Sequence, residues 1–161
     1  MLKVPVVYLK DKQAFEKRTG AMRLLGSAVE VVKKLGKKHE LVHLIDLELQ
    51  KGSMANFDTY DKLTYFTHIQ VECEDRIAVE RLLALKARVV VQLPSKLPLE
   101  KYNKKLLVGI ASGTEDASAV GDVLLENPSI AKIALYEKQG KRIMLHEKEW
   151  DKKTKVWALI L

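Results

Sequence analysis

The chain predicts an α/β fold, a mainly parallel sheet with helices packed outside it. Three observations point there. Short apolar runs recur at 4–9, 41–47, 68–72, 88–93 and 106–110. Segments of helical spacing separate most of them, an alternation that builds parallel sheets. The run Leu41-Val-His-Leu-Ile-Asp-Leu47 is apolar on both strand faces, as in a strand covered on both sides.

The elements follow in order. Val4-Pro-Val-Val-Tyr-Leu9 reads as a first strand, with Pro5 tolerated near its start. Residues 10–26 are polar, are interrupted by Gly20 and Gly26, and read mostly as loop. Ser27 is the expected N-cap of a helix carrying Ala28, Val31, Val32 and Leu35 inward, and Gly36 its expected C-cap. Strand two is 41–47. Asn56 or Asp58 caps a short helix that turns Phe57, Tyr60 and Leu63 inward. Strand three is 68–72. The helix 77–86 is expected to bury Ile77, Leu82 and Leu85.

Strand four is 88–93, and Pro94 and Pro98 leave room for one short helical turn before strand five at 106–110. Ser112 or Thr114 opens a helix running to about Glu126, which Asn127-Pro128 ends. Strands at 130–136 and 142–146 flank a Gln139-Gly140 turn, and an apolar segment ends the chain.

The 161 residues fit one domain, 1–161. Apolar residues make up 47% and charged ones 30%, as in a globular protein, and no run is long enough to span a bilayer. No signal-peptide layout precedes the first strand, and the lone Cys73 excludes an internal disulfide, so a cytoplasmic location and no membrane partner are expected. The net charge of +7 has two readings. A Lys- and Glu-rich solvated surface, as in thermophiles, is preferred because acidic residues flank the basic runs. A nucleic-acid surface is the second.

Repeating units of this length suggest a barrel, but eight units take ~200–250 residues. About six fit here, so an incompletely closed sheet is expected. The C-terminal segment 151–161, with Lys155-Val-Trp-Ala-Leu-Ile-Leu161, is then expected to cover an edge or the mouth, within the chain or across a homodimer.

Several stretches, in order, resemble the histidine-biosynthesis barrels, the ProFAR isomerases and the related cyclase subunit. Val4-Pro-Val-Val-Tyr-Leu-Lys-Asp11 resembles their opening strand, and Leu41-Val-His-Leu-Ile-Asp-Leu-Glu48 their second. Ile69-Gln-Val71 is similar to the third strand. Val79-Glu-Arg-Leu-Leu-Ala-Leu85 and Arg88-Val-Val-Val91 are similar to the helix and strand after it. Ile110-Ala-Ser-Gly113 resembles their seventh strand, and Ala134-Leu-Tyr-Glu137 the stretch after the eighth. The resemblance runs from Val4 to about Glu137 and implies a TIM-barrel-like fold, with two units missing between Leu93 and Leu106.

The departures bear on function. The family's isomerisation uses an acid/base pair of aspartates on strands one and five. The first falls here at Tyr8. The second has no counterpart, or falls at Ala111. Asp46 matches a family aspartate on strand two. Where the family holds phosphate with glycines after strand three, this chain has Glu72-Cys-Glu-Asp75, carboxylates that repel a dianion. Gln92-Leu93 replaces the glycine-threonine after strand four. Ser112, Gly113 and Thr114 are the remaining candidates for an anion cradle.

Asp46 and Tyr8 are therefore the candidate catalytic residues. Asp46, His68, Glu72, Cys73 and Glu74 cluster at strand ends but match no metal-ligand spacing, so no metal or cofactor is expected. His43 reads as a core histidine with a satisfied ring. The expected function is a barrel relative without isomerase activity, acting as a binding or scaffold protein. An enzyme on a phosphorylated sugar or nucleotide, built around Asp46, is the alternative. A basic RNA- or DNA-binding domain is the other.

Overall fold

The computed structural model describes residues 2–111, 117–130, 132–136 and 155–160. Its centre is a set of parallel strands: β1 (Leu2–Lys10), β4 (Leu41–Asp46), β5 (His68–Glu72), β6 (Arg88–Leu93), β7 (Leu107–Ala111), β8 (Lys132–Tyr136) and β9 (Lys155–Ile160). Each pairs in parallel with the next. β9 pairs with β8 through Ala134↔Trp157 and with β1 through Leu2↔Trp157, so the pairing returns to its first strand. The C-terminal segment thus lies between β8 and the N-terminal part of β1, Leu2 to Pro5, and it raises the parallel count above the six expected. The strand expected at 142–146 lies outside the described residues.

Residues 10–26 are not the loop the sequence suggests. They form β2 (Gln13–Arg18) and β3 (Ala21–Ser27), an antiparallel extension of β1. Both turns are two-residue turns with left-handed central residues, Asp11 and Lys12 (φ 50° and 61°) and Thr19 and Gly20 (φ 45° and 82°). That geometry matches the twist of the strands it joins. Asp11-Lys12 carries no glycine, which is why its turn is hard to read.

Helix α1 (Ala28–Gly36) starts where Ser27 Oγ accepts the Glu30 N–H at 3.3 Å. Gly36 is its last residue rather than a left-handed cap. A Cβ there would stand 2.7 Å from the Phe66 carbonyl oxygen, so close approach of backbone accounts for the glycine. Helix α2 (Phe57–Leu63) buries Phe57, Thr59, Tyr60 and Leu63. Helix α3 (Arg76–Ala84) is capped by Asp75, whose carboxylate accepts the Ala78 N–H at 2.9 Å, and buries Ala78, Val79 and Leu82. Ile77, expected inside, is 62% exposed, because the buried stripe of α3 runs through Ala78, Val79 and Leu82 and leaves it on the outer side. Two 3-10 turns, Leu99–Lys101 and Lys104–Leu106, join β6 to β7. Helix α4 (Ala117–Glu126) precedes β8.

Strand parity divides the core in two. Val7, Leu9, Val42, Leu44, Ile69, Val71, Val89 and Val91 pack outward against the helices. Val4, Val6, Leu41, Ile45, Val90, Val108 and Ala134 form a separate inner cluster, with Tyr8, Leu47 and Ile110 against it. Burial of these aliphatic chains at ~25 cal/mol per Å2 of apolar surface is the main stabilising term.

Candidate functional site

The C-terminal ends of parallel strands are where such sheets place their sites. Two carboxylates stand there on adjacent strands, Asp46 closing β4 and Glu72 closing β5. Their surroundings differ because their parity differs.

Asp46 follows Val42 and Leu44 onto the helix side and is 1% exposed. Its Oδ1 accepts the Glu48 N–H at 2.9 Å, the Leu49 N–H at 3.1 Å and the Asn56 amide at 3.0 Å. Its Oδ2 accepts the Tyr60 hydroxyl. Asn56 also donates to Glu48, and Glu48 accepts the Asp11 N–H at 2.8 Å. The Tyr60 phenol is pushed well above its ordinary range by burial first, and then by the charge of Asp46. Asp46 thus knots the β1–β2 turn, the loop after β4 and helix α2 together. Asn56, expected as a possible cap for α2, makes no capping bond there.

Glu72 faces inward. Its side chain is 24% exposed, and Oε1 stands 2.9 Å from Nε2 of His43, whose side chain is wholly buried. The Gln70 amide nitrogen lies 2.8 Å from His43 Nδ1. With that amide donating, the ring proton sits on Nε2 and is donated to Glu72. Gln70 Oε1 is buried without a hydrogen-bond partner among the described residues. Tyr8 also lies on the inner face, and its phenol is raised by burial first and then by the Glu72 charge.

Beside Glu72 a cavity of about 370 Å3 opens, walled by Cys73, Glu74 and Asp75 after β5, Gln92 of β6, Ile110 of β7 and the loop after β4. Glu74 accepts the Gln92 N–H, and burial raises its carboxyl above the usual range. Burial pushes the Cys73 thiol up to about 11. Such a thiol is inert at neutral pH. Among the described residues no group of three His, Cys, Asp or Glu side chains is arranged to hold a metal ion.

Of the two expected catalytic residues, Tyr8 lies on the inner face with Glu72, and Asp46 is turned to the helix side and does not line the cavity. Ser112, Gly113 and Thr114 lie outside the described residues. The His43–Gln70–Glu72 group escaped the sequence reading, although polar residues at alternate positions of apolar strands signal it. No helix of the described residues is long and apolar enough to cross a membrane. No protein-family model matches the chain, and no curated protein matches it.

Proposed function

We propose that this protein is a shortened relative of the TIM-barrel-like histidine-biosynthesis proteins, without their isomerisation, that binds a small neutral or cationic polar molecule at the strand C-termini. The observation that carries this reading is the Glu72 carboxylate at the cavity wall, backed by the buried His43. Glu74 and Asp75 share that wall, and no Lys or Arg lines it among the described residues. A phosphorylated ligand would meet repulsion there. The absence of the family's acid/base pair, with Tyr8 in place of its first aspartate, supports a binding rather than an isomerising role.

A second reading is favoured by the His43–Glu72 contact itself. A carboxylate open to a cavity, with a buried imidazole behind it, is equipped for general acid/base transfer. On that reading Glu72 exchanges the proton with substrate, and His43 and Gln70 hold it in register.

The test is a thermal-shift screen of wild type and Glu72→Gln against polyols, amines and sugar phosphates, with a ProFAR isomerase assay alongside. Stabilisation by a neutral or cationic compound that Glu72→Gln abolishes is expected, with no isomerase turnover. Stabilisation by sugar phosphates alone, or turnover of ProFAR, would overturn the reading.

A further inference from the structure

The β2–β3 hairpin leaves β3 as the last strand of its side of the sheet, with no further strand beyond it among the described residues. Such an edge presents a row of N–H and C=O groups to solvent and templates pairing with another chain. β3 carries neither proline nor lysine, and it displays apolar side chains instead. Met22, Leu24 and Leu25 are 40%, 52% and 40% exposed. Next to it a groove of about 490 Å3 runs between Leu25 and Gly26 on one wall and Val31 and Leu35 of α1 on the other.

The groove's charge is one-sided. Lys33, Lys34 and Lys37 line it against a single acid, Glu30. On the hairpin, Lys17, Arg18 and Arg23 stand against Glu16, which pairs with Arg18 at 2.9 Å and with Arg23 at 3.4 Å. This surplus decides between occupants. A second copy, pairing β3 to β3 about a two-fold axis, would bring two Arg23 side chains and two lysine-lined grooves together, and like charges across a strand pair are destabilising. An acidic strand meets the reverse situation.

We propose that β3 and the groove beside α1 form a docking surface for an extended acidic peptide segment with alternating apolar residues. The segment adds to the sheet as a strand along β3. Its apolar side chains fill the groove against Leu25, Val31 and Leu35, and its carboxylates face Lys33, Lys34, Lys37 and Arg23. Main-chain hydrogen bonds supply the register, and the lysines select an acidic sequence.

The test uses a fluorescein-labelled peptide of alternating glutamate and valine, read by anisotropy on the full chain. Saturable binding is expected. The double variant Lys33→Glu, Lys34→Glu changes only exposed side chains and should weaken it at least tenfold. The same peptide N-methylated at alternate residues keeps its charge but loses the strand-pairing N–H groups, and it should also bind at least tenfold more weakly. Equal binding of the N-methylated peptide would reduce the contact to diffuse electrostatics and overturn the proposal. So would tighter binding of a single-stranded RNA of equal length, or self-association of the free protein that Arg23→Glu strengthens. Absence of peptide binding at millimolar concentration would also overturn it.

Discussion

Asp46 and Glu72 end neighbouring strands at the same end of the sheet, and they are opposites. Asp46 is sealed under α2 and receives four donors, two from backbone, one from an amide and one from a phenol. Glu72 looks into the ring of strands, backed by a buried histidine, with part of its surface open to a cavity. One step of strand parity separates a carboxylate sealed on the helix side from one that borders the cavity. A carboxylate whose lone pairs are taken by fixed donors has little left to offer a ligand.

The largest expected effect is therefore on stability at Asp46. Asp46→Ala leaves the Tyr60 hydroxyl, the Asn56 amide and two backbone N–H groups without their acceptor. A loss of about 3–5 kcal/mol in urea unfolding is expected. A loss under about 1 kcal/mol would break the comparison at its structural side. Tyr60→Phe removes one of those donors and is expected to cost about 1–2 kcal/mol by the same measurement. Glu72→Gln keeps an acceptor for His43 and should stay within about 1 kcal/mol of wild type, while removing the ligand response.

How far these roles were legible follows from the residues themselves. The strands were readable because runs such as Arg88-Val-Val-Val-Gln-Leu93 are rich in β-branched residues, here stopped by Pro94. The helices at 28–36 and 57–63 were readable from their apolar spacing and from Ser27. Parity was not readable at the decisive place. Every residue from Leu41 to Asp46 is buried, so the strand offers no polar face to say which way Asp46 turns. The Asp46–Tyr60 bond joins residues fourteen apart and depends on how α2 docks. β3 was missed because its apolar residues are exposed, so burial does not enforce the pattern that marks a strand.

Cys73 sharpens the comparison from the cavity side. Its thiol, raised to about 11 chiefly by burial, should alkylate slowly at pH 8. Relative to the urea-unfolded chain the rate should be down by roughly a hundredfold, the factor for about two pKa units. Comparable rates in the two states, read by mass spectrometry, would show that the wall beside Glu72 is not formed.

Glu74 gives the smallest effect and a sign. Its folded carboxyl is raised, burial first and the charge of Glu72 among the further causes. Its contribution to stability is then fully present below the ordinary carboxylate range and is lost as pH rises through the raised value. Glu74→Gln should therefore melt slightly higher than wild type at neutral pH, and the difference should fade on acidification. A gain that grows toward acid pH would contradict the assignment.

The measurement that bears most directly on the two carboxylates is footprinting. The native protein is treated with a water-soluble carbodiimide and an amine, and modification at each acidic residue is followed by peptide mass spectrometry. Glu72, partly open at the cavity, is expected to label at least tenfold faster than Asp46, which is sealed beneath Tyr60 and Asn56. Asp46 labelling as fast as Glu72 in the folded protein would contradict the account, because the sealed and the open carboxylate would then be the same kind of group.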